Sequence, residues 1–289
     1  MTPGRAGDAP TNAVQDAPPL VSVVMPTHND EAFIRPAVES ILRQSFTDFE
    51  FIIVDDGSTD STPAILAEYA VADPRIRVLT NETNLGIVGA LNRGLDAAGG
   101  KYIARMDGDD ISTPERFARQ VEVMEAEPDV IALSGAMRYI DADGEDLGVY
   151  RQATPDRSIL SASPMLHATC MLRREPMDAH RVRYRERFRC AEDYCLWLEL
   201  NRCGRLSAID EVVYLCRMNR GSIRMFHLKK VLARTLAVKL FAVRRLGYRP
   251  GPRDLLRFAA ECVLMVLPTR LVRSIYLRMM FGKNWRVKM

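Results

Sequence analysis

Along the first hundred residues, short apolar runs alternate with stretches of helical spacing. The runs are Val21-Ser22-Val23-Val24-Met25, Phe51-Ile52-Ile53-Val54, Ile76-Arg77-Val78-Leu79 and Tyr102-Ile103-Ala104-Arg105-Met106. Between them, Phe33, Ile34, Val38, Ile41 and Leu42 fall on one side of a helix, as do Ile65, Leu66 and Tyr69. A third helix opens at Asn84-Leu85-Gly86 and runs through Leu91 and Leu95. Strands that are apolar on both faces, alternating with helices, predict a parallel sheet covered on both sides. Such sheets bind ligands beyond the carboxyl ends of their strands. Thr27, Asp55, Asp56, Asn84 and the Asp107-Gly108-Asp109-Asp110 cluster all fall there.

Further along, Ser112-Thr113-Pro114-Glu115 reads as a helix start, with Phe117, Val121 and Met124 as the buried face. Residues 130–134 predict a strand, Asp141-Ala142-Asp143-Gly144 a hairpin turn, and residues 167–172 another strand. Ala191-Glu192-Asp193-Tyr194 opens a helix carrying Leu196, Trp197 and Leu200, with Gly204 as its stop. Residues 225–246 have a helical pattern studded with Lys and Arg. Residues 258–268 are apolar except for Glu261 and too few to span a bilayer, and 269–281 predict an amphipathic helix.

Composition changes the picture at two points. The 289 residues, 47% apolar and 27% charged, suit a folded chain of one or two domains. The segment 1–19 is instead rich in Ala, Pro, Gly and Asp, which predicts a disordered leader without the apolar run of a signal peptide. The net charge of +3 conceals an asymmetry: residues 224–289 hold 16 Lys or Arg against two acids, while residues 1–223 hold 24 against 35. A basic extension of this kind suits an anionic surface, and its sparse aromatics argue against nucleic acid. The alternative is a helical layer packed on the rest of the chain with its charges solvated. The six cysteines form no C-x-x-C pair and read as reduced packing residues.

Three carboxylates within four residues at a strand end repel one another unless a cation sits among them, and oxygen-only ligands suit Mg²⁺ or Mn²⁺ holding phosphate oxygens. The alternative is an acidic turn. There is no G-x-G-x-x-G after the first strand and no G-x-x-x-x-G-K-[ST], which disfavours a nicotinamide site and a P-loop. Glu192 and Asp193 are either catalytic acids or residues favouring a helix N-terminus. Arg105 either neutralises a phosphate or pairs with a neighbouring aspartate. The glycines of the Asn84–Gly94 segment either let a ligand approach or let the helix pack on the sheet.

Five ordered motifs carry a resemblance: Val-Val-Met-Pro-Thr-His-Asn (23–29), Ile-Ile-Val-Asp-Asp-Gly-Ser-Thr-Asp (52–60), Asn-x-Gly-x-x-x-Ala-x-Asn-x-Gly (84–94), Met-Asp-Gly-Asp-Asp (106–110) and Ala-Glu-Asp-Tyr (191–194). Over residues 20–223 the chain resembles an inverting family-2 glycosyltransferase of the GT-A fold, of the bacterial polysaccharide type. That resemblance implies an α/β, Rossmann-like, mostly parallel sheet with helices on both faces, followed here by a C-terminal helical extension over 224–289. It implies a hexosyl-type transfer from a nucleotide sugar, a UDP-sugar in the first instance, to a glycan or lipid-linked acceptor, with Mn²⁺ or Mg²⁺ as cofactor. By resemblance, Pro26, Thr27, Asn29, Asp55, Asn84, Gly86, Arg105 and Asp107 bind the donor. Asp109 ligates the metal with Asp107, and Asp110 supports the cluster. Asp193 is the base, with Glu192 beside it. Asn219 stands where a metal histidine often completes the site, and Cys195 where a further acid is common. The implied location is the inner face of the cytoplasmic membrane, reached peripherally. A nucleotidyltransferase on a related fold and a non-catalytic nucleotide-sugar or membrane-binding subunit are the rival readings.

Overall fold

The structure is a computed structural model that describes residues 18–151, 158–218, 228–272 and 274–275. In chain order its elements are β1 (Val21–Thr27), α1 (Ile34–Leu42), β2 (Phe49–Asp55), α2 (Thr62–Ala72), β3 (Ile76–Thr80), α3 (Gly86–Ala97), β4 (Tyr102–Arg105) and β5 (Ile111–Ser112). They continue with α4 (Arg116–Ala126), β6 (Val130–Ile140), β7 (Asp146–Tyr150), β8 (Met171–Arg173), α5 (Arg174–Ala179), α6 (Glu192–Leu200), β9 (Arg205–Arg217), α7 (Leu228–Arg245) and α8 (Pro252–Val266).

The strands form one sheet in the order β3-β2-β1-β4-β8-β6-β9-β5, with β7 paired to β6. β1 lies between β2 and β4, parallel to both, and β2 is parallel to β3. β8 runs antiparallel between β4 and β6, while β6 and β9 are parallel. The β3-β2-β1-β4 half of the sheet is parallel, as its apolar runs predict, and the half beyond it is mixed, with β7 and β5 antiparallel to β6 and β9. Both faces are buried for a reason visible in β1: Val21, Val23 and Met25 enter a core shared with α1 and α4, and Val24 enters a second core under α3. Alternation sends successive side chains to opposite faces, so a strand covered on both sides must be apolar at every position.

Four sequence expectations are corrected. Residues 167–172 do not form one strand: His167–Thr169 is a 3₁₀ turn, and β8 begins at Met171. The strand at 130 is longer, because β9 pairs along it from Val130 to Ile140. The helix expected from Ser112 begins at Arg116, since Ser112 hydrogen-bonds in the sheet opposite Tyr214. α6 ends at Leu200 rather than at Gly204, because Gly204 is pressed against β6; a Cβ there would lie 2.6 Å from Ile131. Residues 269–272 and 274–275 are helical, whereas most of the 269–281 expectation and residues 1–17 of the leader lie outside the described residues.

α7 packs on the outer side of α6. Val238 and Ala242 join Phe188, Tyr194, Cys195 and Leu198 in a third core, against which Phe258 of α8 also packs. Tyr248 donates its hydroxyl to the Leu198 carbonyl at 2.9 Å.

Candidate active site

Thr27, Asp55 and Arg105 end β1, β2 and β4 side by side, with Thr27 in register with Asp55 and Arg105 with Val24. β1 therefore outruns β4, and the Met106–Asp110 segment folds back over its end. Gly108 makes that possible: a Cβ there would lie 2.6 Å from Asp30 Oδ2 and 2.8 Å from Thr27 Oγ1. The Thr27 hydroxyl donates to Asp30 at 2.7 Å, as does the His28 backbone N–H at 3.2 Å. Asp30 was not a candidate from sequence, although it directly follows the Thr-His-Asn motif.

Carboxylates crowd this point. Burial raises the Asp30 carboxyl above its ordinary range against those hydrogen bonds, and Asp107 adds to the effect. Burial, then Asp107 and Asp30, push Asp109 up to about 6. Burial, then Asp107 and Asp109, raise Asp110 as well, although it accepts the Arg217 N–H at 2.7 Å. Asp110 thus ties the cluster to the end of β9, and Arg217 Nε reinforces the tie by donating to the Asp109 carbonyl at 3.1 Å. Asn219, two residues on and expected at the metal, lies outside the described residues.

Arg105 forms a two-pronged ion pair with Asp107. Burial works against its charge, but Asp107 holds the guanidinium above its ordinary value. A phosphate role for Arg105 therefore requires that pair to open. Beneath it lies Arg116, fully buried, whose Nη2 donates to the carbonyls of Arg105 at 2.8 Å and Cys170 at 3.2 Å. Burial lowers the Arg116 pKa to about 10. The Asp107 N–H meanwhile donates to the Tyr214 hydroxyl at 3.0 Å. Neither Arg116 nor Tyr214 stands in a motif, and no local signal marks them.

On the β2 side the two aspartates divide their work. Asp56 accepts from Asn81 Nδ2 at 2.6 Å, Leu85 N at 2.9 Å and Gly86 N at 2.7 Å, which pins the loop leading into α3. Asp55 accepts from Ser58 N at 3.0 Å through Oδ1, while its Oδ2 is buried with no hydrogen-bond partner among the described residues. Asn84 caps the same loop by accepting from Gly86 N at 2.8 Å. Asn29, at φ 57°, joins the β1 and β2 loops: its N–H donates to Ser58 Oγ at 2.9 Å and its Oδ1 accepts from Thr59 N at 2.8 Å. Pro26 is buried in β1 opposite Val54.

The glycine alternatives separate by position. Gly94 serves packing, since a Cβ there would lie 2.3 Å from Val24. Gly86, at φ +79°, carries the Arg189 guanidinium, which lies 1.2 Å from where a Cβ would stand. Asn92 holds the Tyr184 peptide by both of its groups, Nδ2 to O at 2.9 Å and Oδ1 to N at 3.0 Å.

Glu192 and Asp193 form the first turn of α6. Burial and then Asp193 raise the Glu192 pKa, and Arg105 counters them; Glu192 Oε2 is buried without a partner among the described residues. Tyr184 is buried and feels the charges of Arg105, Asp193 and Glu192 together, so Arg105, already paired with Asp107, also acts on the acids of α6. His167 Nε2 is 2.7 Å from the Tyr184 hydroxyl, and its ring meets the edge of Trp197 at 5.8 Å. Trp197 is fully buried, as a core residue should be.

No three metal-binding groups are preassembled among the described residues. Asp107 and Asp109 are oxygen donors of the kind that Mg²⁺ or Mn²⁺ takes when substrate phosphates complete its shell. Burial is the first cause of the raised carboxyls of Asp30, Asp109 and Asp110, and the like charge of their neighbours adds to it.

The chain is similar to putative glycosyltransferase EpsE of Bacillus subtilis, 35% identical over 71% of this chain and 76% of that protein. It is also similar to the succinoglycan biosynthesis protein ExoO of Rhizobium meliloti, 29% identical over 89% of this chain and 78% of that one. Among solved structures, S. aureus TarS 1–349 in complex with UDP-GlcNAc aligns with a TM-score of 0.61 at 17% identity, over 92% and 93% of the two chains. The mannosyltransferase PcManGT of Pyrobaculum calidifontis, in complex with GDP-Man and Mn²⁺, aligns at 0.64 and 20% identity, over 94% and 77%. Both likenesses establish the mixed α/β fold. The family model for glycosyl transferase family 2 matches residues 22–181, more than half of the chain, and the chain belongs to that family.

Proposed function

We propose that this chain is a metal-dependent, inverting glycosyltransferase that moves a sugar from a UDP-sugar to a hydroxyl of a glycan or lipid-linked acceptor in cell-surface polysaccharide synthesis. It would act at the inner face of the cytoplasmic membrane. The observation that carries the reading is the placement of Arg105: it is paired with Asp107 at the end of β4, and its charge acts on both Asp109 and Glu192, the latter in the first turn of α6 beside Asp193. The polysaccharide relative supports the class of acceptor. The sugar nucleotides in the two structural neighbours support a nucleotide-sugar donor, and the Mn²⁺ in one of them supports a divalent cation.

In this reading Asp55 receives the base and ribose, its Oδ2 being buried and free of a described partner. Asp109, with Asp107, would hold a Mn²⁺ or Mg²⁺ ion, which neutralises the charge developing on the departing diphosphate. Asp193 takes the proton of the acceptor hydroxyl as the new oxygen–carbon bond forms and the bond to the diphosphate breaks, with the electron pair leaving on the nucleoside diphosphate. Attack from the face opposite the nucleotide inverts the anomeric centre.

The test is thermal stability against a panel of nucleoside diphosphates, each with Mn²⁺ or with EDTA. A ligand at 100 times its Kd adds about 2.7 kcal/mol to folding, a readily measured shift. The expected outcome is a metal-dependent shift with UDP that disappears in Asp109→Ala. No shift with any nucleotide would sink the reading. Release of pyrophosphate in turnover assays would replace it with nucleotidyl transfer.

A further inference from the structure

α8 is built inside out. Its polar side chains at Asp254 and Glu261 face the protein: Asp254 is 3% exposed and accepts from Ser161 Oγ at 2.7 Å and Gly251 N at 2.9 Å. Glu261 accepts twice from the buried ammonium of Lys239, at 2.6 and 2.8 Å. Phe258 packs inward, but four of the helix's apolar side chains face outward, with Leu255 55%, Leu256 74%, Val263 56% and Val266 81% exposed. Ala259 and Ala260 are exposed between them. At 100° per residue, Leu256, Ala259, Ala260 and Val263 form one strip of the helix. Scattered apolar residues on a surface need no explanation, but a continuous strip on a helix that turns its acids inward does.

The charges around the strip indicate what covers it. Residues 228–275 contain two acids, Asp254 and Glu261, and both are occupied inside the fold. Lys239 is buried against Glu261, but Arg244, Arg245, Arg249, Arg253 and Arg270 are all exposed. An apolar strip bordered by arginines, with no exposed acid in the region, fits the interface of an anionic bilayer. A protein partner gives no reason for the acids to be drawn inward. The fifteen residues of α8 span about 22 Å, and among the described residues no helix is long and apolar enough to cross a membrane, so α8 lies flat.

We infer that the outward face of α8, with its arginine border, is a docking surface for an anionic lipid bilayer. This deepens the membrane placement proposed above and rests on it, but not on the transfer chemistry. It adds α8 to the contact expected at residues 269–281, most of which lie outside the described residues. Because α8 packs through α7 onto α6, docking holds the helix that begins with Glu192 and Asp193 at a fixed position relative to the lipid surface.

Co-sedimentation of the full chain with vesicles tests the inference. Binding is expected with phosphatidylcholine vesicles containing phosphatidylglycerol, and not with phosphatidylcholine alone. The double variant Leu256→Asp with Val263→Asp should lower the partition coefficient at least about tenfold, while keeping the thermal midpoint and the UDP–Mn²⁺ shift. Arg253→Gln with Arg270→Gln should weaken binding to anionic vesicles and reduce its salt sensitivity. Equal binding by the aspartate variant, or no binding by the wild-type chain, would overturn the proposal. So would a wild-type dimer that ignores vesicles and that the aspartate variant dissociates in sedimentation equilibrium, because a second copy would then cover the strip. Vesicle binding without any nucleotide shift would uphold the surface and strike only the donor reading.

Discussion

At the residue scale, side chains a few positions apart in sequence have different tasks. Asp55 and Asp56 are neighbours, yet Asp56 is held by the α3 loop through both oxygens while one buried oxygen of Asp55 has no partner among the described residues. Asp193→Asn should cut turnover by roughly 10²–10⁴-fold and leave the UDP–Mn²⁺ thermal shift intact, as measured by product release and melting on one preparation. A parallel loss of nucleotide binding would remove Asp193 from the role of base. Gly86→Ala forces a Cβ into a left-handed conformation and against Arg189. It should cost about 1–3 kcal/mol in urea unfolding, part of it recovered when Arg189 is also cut to Ala. The motif residues were legible because several chemical types recur in fixed order. Arg116 was not, because a buried arginine under the acidic cluster reads in sequence as one more helix-surface cation; only the approach of β4 and the Cys170 backbone gives it acceptors.

At the element scale, a run covered on both faces declares itself through composition, and β1 and β2 did so, while β3 at the sheet edge leaves Arg77 and Thr80 exposed. β5 and β8 are two and three residues long, and they exist only because distant strands supply their partners, Tyr214 and Leu215 for the first and Tyr102 to Ala104 for the second. No window of sequence contains that information. The α7–α8 pair rests on a buried charge: the side chain of Lys239 is 1% exposed against 12% for Glu261. Burial lowers the Lys239 pKa and Glu261 opposes the shift. Lys239→Met should destabilise the fold by about 3 kcal/mol in denaturant titration, because Glu261 would keep only Arg257 at 3.8 Å. Adding Glu261→Leu should return most of that loss. If the single variant proves neutral, the pair is not a structural strut.

At the scale of the whole molecule, the basic extension shares a core with the helix that opens at Glu192 and Asp193. A chain ending at residue 223 would bare Tyr194, Cys195 and Leu198. It should accumulate in the insoluble fraction or melt without a cooperative transition by circular dichroism. A soluble, cooperatively melting product would show that the catalytic part folds by itself. The amino-acid sequence alone determined the alternation of strands and helices, the carboxyl-end position of the site and the charge asymmetry, since each follows from local periodicity or composition. Tertiary structure alone decided that Asp30 joins the acidic cluster, that Arg105 is taken by Asp107, that Arg189 lies on Gly86, and that α8 turns its apolar side outward. Periodicity fixes which residues share a face of a helix. It does not fix which face meets the protein, because that choice depends on what the neighbouring element offers, and here α7 offers a lysine.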